Sequence, residues 1–162
     1  MKAIHLGLRY RRSPALESSF FDSEMPADWR VAFLLNEQDA LWVAADDPDV
    51  ETVLAELKDS PGEVFVVVEE PVWSPAWQAL ADAGHHAVVR MTADTPVWLP
   101  GTTSEGAVVG LVPASDQPAD LHQWLSAFLD QAPAEAALFV DGEPPSVATV
   151  DRLRTLTELM GR

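Results

Sequence analysis

The sequence predicts an α/β protein with a mainly parallel sheet of about six strands and helices covering its faces. Short β-branched runs alternate along the chain with segments whose apolar residues recur at helical spacing. The run at 64–68, four Val and one Phe, is apolar throughout, as is typical of a strand buried on both faces of a sheet. Because strands joined by helices pair in parallel through right-handed crossovers, the alternation indicates a parallel sheet.

Before the run at 64–68, the chain alternates twice between strand and helix. The first strand is the apolar run at 3–8, and the second is ALWVA at 40–44. The helix between them begins at Pro26, although residues 31–35 would also suit a strand. The next helix begins at Asp49 and is ended by the Ser-Pro-Gly sequence that follows it. Its apolar face comprises Val50, Val53, Leu54 and Leu57.

The central strand leads into a helix with clear start and stop signals. Pro71 ends the strand. Ser74 is of the type that caps a helix N-terminus, and Pro75 suits the first helical position because no N–H donor is needed there. Gly84 marks the end of the helix. The apolar stripe comprises Trp77, Leu80 and Ala81.

The second half of the chain continues the alternation. The predicted strands are residues 87–91, 107–112 and 136–140, and the predicted helices are residues 118–129 and 147–160. The Pro-, Gly- and Thr-rich connection between the first two of these strands has no helical pattern. No internal repeat or interdomain linker interrupts the sequence, so residues 1–162 are predicted to form a single domain.

Charge and composition limit the partners. The formal net charge is -16, with 26 acidic and 10 basic residues. Such a surface repels phosphate backbones and anionic membranes, so we expect neither a nucleic-acid nor a membrane partner. The absence of cysteine excludes disulfides and thiolate zinc sites. No apolar run approaches the ~20 residues of a membrane-spanning helix, and no signal-peptide pattern is present, so a cytoplasmic, soluble protein is expected.

Candidate catalytic side chains follow the predicted strands, because sites of parallel α/β folds lie at the carboxyl ends of strands. Glu69 and Glu70 end the central strand, and Asp141 ends the last one. Two carboxylates can divide acid and base roles when their environments separate their pKa values. Adjacent strand residues point to opposite faces, however, so Glu69 and Glu70 are not expected to converge. A solvated strand end is the alternative interpretation.

Candidate binding residues lie near two strand ends. Arg9, Arg11 and Arg12 follow the first strand, and arginine forks suit a small anionic ligand; pairing with the protein's own acids is the alternative. Trp73 and Trp98 could provide a ring-stacking platform or an interface anchor. The sequence has no zinc-like histidine spacing and no nucleotide-binding glycine motif, so neither a metal nor a cofactor is predicted.

A family resemblance rests on HLG at 5–7, FFDSEMPADWRVAFLLNEQDALWV at 20–43, VVVEEPVW at 66–73 and ALFVDGEPPSVATVDRLRTLTEL at 137–159. On these stretches the chain resembles a shortened member of the YecE-like family, also called domain of unknown function 72, whose members are similar to TIM barrels. The resemblance implies an incomplete or reduced TIM-barrel-like sheet, because 162 residues fall short of the ~250 typical of a full barrel. An open doubly wound sheet is the alternative.

The polar residues depart from the family pattern. The family's fifth strand typically reads Glu-Phe-Arg-His-Pro-Ser-Trp, and here Val67 replaces the acid while Glu69 and Glu70 replace Arg and His. After the first strand, Arg9-Tyr10 replaces a Gly-Trp pair. At the end of the last strand, Val140-Asp141 replaces an Asn pair. These replacements favour a non-catalytic binding or assembly protein. A reduced barrel lacks some strands and therefore has unpaired edges, which a second copy of the chain can cover, so a homodimer is expected. The alternative is a hydrolase-like enzyme for a small anionic or sugar-like substrate. In it, Arg9, Arg11 or Arg12 would hold the anion, and Glu69 or Asp141 would act as acid or base.

Overall fold

The elements of the fold are taken from a computed structural model, which describes residues 3–9, 38–46, 50–102, 104–132, 135–142 and 146–160. The strands are β1 (Ala3–Leu8), β2 (Ala40–Val43), β3 (Phe65–Glu69), β4 (Ala87–Met91), β5 (Val97–Trp98), β6 (Val109–Pro113) and β7 (Glu135–Asp141). The helices are α1 (Val50–Asp59), α2 (Pro75–Ala83), α3 (Pro118–Gln131) and α4 (Val147–Leu159), and a 3-10 turn spans Glu70–Val72. None of the described helices has the length and apolar character needed to cross a membrane.

The strands form two parallel sheets. The larger sheet has the order β1-β7-β6-β5, and the smaller one has the order β2-β3-β4. Every paired strand in both sheets runs parallel to its neighbour, so the structure confirms the α/β class and the parallel pairing. The expectation of one sheet with about six strands is corrected to seven described strands in two sheets. Strand β5 was missed because two residues are too few for a period to show in the sequence.

The two sheets meet where β1 approaches β2, a junction called here the β1/β2 seam. A Cβ atom on Gly7 would collide with the carbonyl oxygen of Ala40, so only glycine allows this approach. No backbone ladder joins the two strands within the described residues. Instead, the Leu6 amide donates to Asp39 Oδ1 at 2.9 Å, and the Leu8 amide donates to Gln38 Oε1 at 3.0 Å. Side chains therefore take the place of ladder hydrogen bonds at the seam.

Apolar side chains fill the space between the sheets and cover both outer faces. The inner core comprises Ala40, Trp42, Phe65 and Val67 from the smaller sheet and Val109, Ala137 and Phe139 from the larger one. Helices α3 and α4 pack on the outer face of the larger sheet, and α1 and α2 pack on that of the smaller one. Strand β3 places Phe65 and Val67 inside and Val66 and Val68 under the helices, which confirms a strand buried on both faces.

Helix α2 follows its predicted signals except at the cap. Pro75 occupies the first turn, and Gly84 ends the helix with a φ of 78°, in the left-handed region that favours glycine. The Ser74 side chain, however, makes no capping hydrogen bond, which corrects that prediction. Capping requires a side-chain rotamer that residue type alone does not specify. The helix predicted at 26–35 lies outside the described residues.

Candidate functional site

Four polar or aromatic side chains meet at the carboxyl ends of four strands. Arg9 directly follows β1, Trp42 lies on β2, Glu69 ends β3 and Asp141 ends β7. Because the paired strands are parallel, their carboxyl ends lie at the same edge of each sheet. Contacts between these side chains connect the two sheets across the seam. We call this group the Trp42 cluster.

Glu69 is held by two donors on or beside β2. The Trp42 indole Nε1 donates to Glu69 Oε2 at 2.7 Å, and the Ala45 amide donates to Glu69 Oε1 at 3.0 Å. The Trp42 ring is 5% exposed and packs edge-on against Phe139, with ring centroids 5.2 Å apart. The indole therefore has a fixed position, and it orients the carboxylate.

Arg9 and Asp141 form an ion pair on the other side of the indole. Arg9 Nη1 lies 3.3 Å from Asp141 Oδ1 and 3.4 Å from Oδ2, and the Gly142 amide donates to the same Oδ1 at 2.9 Å. The guanidinium carbon lies 5.3 Å from the centroid of the Trp42 ring. Both charged side chains are about one-third exposed, so solvent screens much of their attraction.

Glu70 and Trp73 belong to a separate group with Arg90, called here the Arg90 cluster. Arg90 Nη2 lies 3.1 Å from Glu70 Oε1, and its guanidinium carbon lies 5.6 Å from the centroid of the Trp73 ring. The Arg90 and Glu70 side chains are each about half exposed. Glu69 and Glu70 therefore point into different environments and do not converge. Glu70 lies in the 3-10 turn that follows β3 and not on the strand, which corrects the prediction that both residues end the strand.

The structure thus brings together only part of the predicted site. Arg9, Glu69 and Asp141 share the Trp42 cluster, while Arg11 and Arg12 lie outside the described residues. Trp42 was not among the predicted site residues, although it lies one residue before the carboxyl end of β2, a strand that the sequence predicts. Arg90, which lies one residue before the end of β4, was not among them either.

Trp98 is a core residue rather than a stacking platform, which corrects the sequence-based prediction. Its side chain is 3% exposed. It packs on Phe128 of α3, with ring centroids 5.6 Å apart. A bound ring has no access to a face that is already covered by another aromatic side chain.

A groove adjoins the Trp42 cluster on the side of β6 and β7. Its volume is about 230 Å³, somewhat below that of a typical small-molecule pocket. Its lining includes Leu99, Pro100, Leu111, Pro113, Asp141 and Gly142. The lining is mainly apolar, and the Asp141 carboxylate is its charged group. Among the described residues, no three His, Asp or Glu side chains are grouped so that they could hold a metal ion.

Comparison of the chain with protein-family models, with curated proteins and with solved structures found no match. The resemblance to the YecE-like family stays a prediction based on the sequence stretches that carry it.

Proposed function

We propose that the chain is a non-catalytic binding protein whose ligand lies at the carboxyl ends of the strands, between the Trp42 cluster and the adjoining groove. The observation that carries this proposal is the pairing of both carboxylates. Glu69 accepts from Trp42 and Ala45, and Asp141 accepts from Gly142 while pairing with Arg9. A general acid or base must exchange its proton with the substrate, and these internal donors compete for the same oxygens.

The ligand is proposed to be small and sugar-like. Arg9 already has its charge balanced by Asp141, so an anion would have to displace that carboxylate. The net charge of -16 also repels anions. A neutral ring bearing hydroxyl groups has neither difficulty. Each carboxylate has about four lone-pair sites and can accept hydroxyl hydrogens beside its internal donors, and the apolar groove covers the ring.

The proposed framework is a reduced TIM-barrel-like arrangement related to the YecE-like family. Support comes from the strand order, because β7 lies beside β1, β1 contacts β2, and β2, β3 and β4 follow in chain order. In a doubly wound sheet the strand order reverses at a switch point instead. The position of the Trp42 cluster at carboxyl strand ends also suits a barrel.

Ligand binding is tested by thermal unfolding with glucose and N-acetylglucosamine as sugar probes and inorganic phosphate as the anion probe. A bound sugar raises the melting temperature, and stabilisation reaches about 2.7 kcal/mol at about 100 times Kd. Glu69→Gln should weaken sugar affinity roughly tenfold, as expected for one hydrogen bond to a charged group. Glu70→Gln is the matched control and should bind normally. Equal effects of the two variants, or stabilisation by phosphate alone, would contradict the proposal.

An enzyme is the second candidate, because Arg9, Glu69 and Asp141 all converge on Trp42. A hydrolase would cleave nitrophenyl glycosides or phosphates. Its rate would fall about 10²- to 10⁴-fold in Glu69→Gln or Asp141→Asn but not in Glu70→Gln. Such a pattern would replace the non-catalytic proposal.

A further inference from the structure

The end of the β1/β2 seam away from the Trp42 cluster carries a buried histidine between two carboxylates. His5 is 8% exposed. Its Nδ1 lies 3.1 Å from Asp39 Oδ2, and its Nε2 lies 3.5 Å from Glu135 Oε1. Both ring nitrogens are buried, and a positive charge on the ring strengthens their attraction to the two carboxylates. Asp39 and Glu135 are the carboxylates facing His5 in the described residues, while β3 contributes only the Phe65 ring.

Asp39 also holds the backbone of the neighbouring strand. Its Oδ1 accepts from the Leu6 amide at 2.9 Å while its Oδ2 faces His5. The next amide on that side of β1, Leu8, donates to Gln38. The amide of Arg9 points the other way, to Val140 of β7 at 3.0 Å. One carboxylate therefore connects the His5 ring to a backbone hydrogen bond that holds the seam.

A protonated His5 and an ionised Asp39 together favour the closed seam. The contact with Asp39 is the largest influence on His5, and it raises the pKa of the ring above its ordinary value of 6.5 against the effect of burial. Burial would raise the pKa of Asp39, but the contacts with His5 and the Leu6 amide together lower it below 3.8. Protonated His5 therefore stabilises the fold below pH 6.5, and this stabilisation is lost as the pH rises through the raised pKa. The contribution of ionised Asp39 is lost as the pH falls through its lowered pKa.

We propose that His5 and Asp39 form a pH-dependent latch on the β1/β2 seam. The latch is closed while His5 is protonated and Asp39 is ionised, and it loosens when either charge is lost. The other strand junctions described have backbone ladders, whose hydrogen bonds do not titrate. The seam depends on side chains and therefore responds to pH.

The latch bears on the candidate site because Arg9 and Trp42 lie further along the same two strands. Their ring-to-guanidinium contact crosses the seam. Loosening the seam changes the spacing between them and hence the shape of the Trp42 cluster. The latch itself stands on the contacts of His5 and does not require the proposed function to be correct.

Amide hydrogen exchange measured by NMR on the isotope-labelled chain tests the latch, after correction for the intrinsic pH dependence of exchange. Between about pH 6 and about pH 9, protection of the Leu6 and Leu8 amides should fall roughly three- to fivefold, as expected for the loss of an ion pair. Protection of the Arg9 amide, which faces β7, should stay constant in the same samples. A ring titration of His5 in the same spectra gives the pH at which the change should occur. An unchanged ratio of Leu6 to Arg9 protection would overturn the latch, and this test needs no variant.

Two matched variants assign the effect to Asp39. Asp39→Asn keeps an oxygen for the Leu6 amide but removes the charge, so Leu6 protection should already be low at about pH 6 and should no longer fall as the pH rises. Glu135→Gln removes the other carboxylate near the same ring, on the β7 side, and should keep most of the wild-type protection. If both variants lost the same amount of Leu6 protection, the effect would depend on the charge of His5 alone, and the role of Asp39 would be overturned.

Discussion

Gly7 determines how closely β1 and β2 approach, and it does so by lacking a side chain. A methyl group at this position would collide with the backbone carbonyl oxygen of Ala40, which cannot rotate away. At the other extreme, a Cβ on Gly62 would meet no atom within 4 Å. The two glycines therefore differ widely in whether the structure tolerates a side chain at their positions.

Gly7→Ala should lower the free energy of unfolding by about 1–3 kcal/mol, because the two strands must separate to admit a methyl group. Gly62→Ala is the control and should change it by less than about 0.5 kcal/mol. Urea unfolding of both variants checks the difference. Equal stability of the two variants would show that the strands do not approach as described.

His86 links the last turn of α1 to the residue that precedes β3. The Val64 amide donates to Nδ1 at 3.0 Å, so Nδ1 is the acceptor and Nε2 carries the hydrogen donated to the Leu57 carbonyl at 2.6 Å. The neighbouring His85 contacts the Ser60 carbonyl from an exposed position. Both histidines therefore contact carbonyl groups at the end of α1.

His86→Ala should destabilise the protein by about 1–3 kcal/mol, because it leaves a buried donor and a buried acceptor without a partner. His85→Ala is the matched control, and its exposed position predicts a change within about 0.5 kcal/mol. Thermal unfolding of the two variants measures both values. A larger loss in His85→Ala would contradict the assigned hydrogen bonds.

At the scale of elements, β3 and β4 show how position within a sheet determines burial. Val66 of β3 and Val88 of β4 are partners in the same parallel register. Val66 is 0% exposed beneath the helices, while Val88 is half-buried on the strand that ends the smaller sheet. The same residue type thus occupies a core position on one strand and a peripheral position on the next.

Val66→Ala should therefore cost about 2 kcal/mol through lost burial and a residual cavity, and Val88→Ala less than about half of that. Chemical denaturation with both variants at one pH provides the comparison. If Val88→Ala were as costly, another part of the chain would have to cover β4.

At the scale of the whole molecule, end strands and net charge act against each other in assembly. Strand β4 ends the smaller sheet and β5 ends the larger one among the described strands, and end strands offer unpaired backbone groups to a second copy. The net charge of -16 makes two copies repel each other. At physiological ionic strength, salt largely screens that repulsion between charges more than about 8 Å apart.

The homodimer predicted from the sequence should accordingly strengthen as salt is added. Light scattering over a wide range of protein concentrations, at low and high salt, measures the molecular mass directly. A dimer fraction that rises with both variables is expected. A monomer under every condition would contradict the predicted homodimer.

The sequence by itself determined most of the described elements, because apolar periodicity, proline and glycine signals act over a few neighbouring residues. Residues 3–8, the run at 64–68 and the helix beginning at Pro75 were all found in this way, and their alternation indicated parallel pairing. The sequence also identified Arg9, Glu69 and Asp141 of the Trp42 cluster, because the carboxyl ends of parallel strands lie at the same edge of a sheet.

Only the tertiary structure decided how those elements meet. Arg9 and Asp141 are 132 positions apart, and nothing local in either segment specifies their contact. The division into two sheets, the side-chain bonds of Asp39 and Gln38 at the seam, and the indole that joins Glu69 to Arg9 all depend on distances through space. Periodicity reports which face of an element is buried, but the partner it is buried against is set by packing of the whole chain.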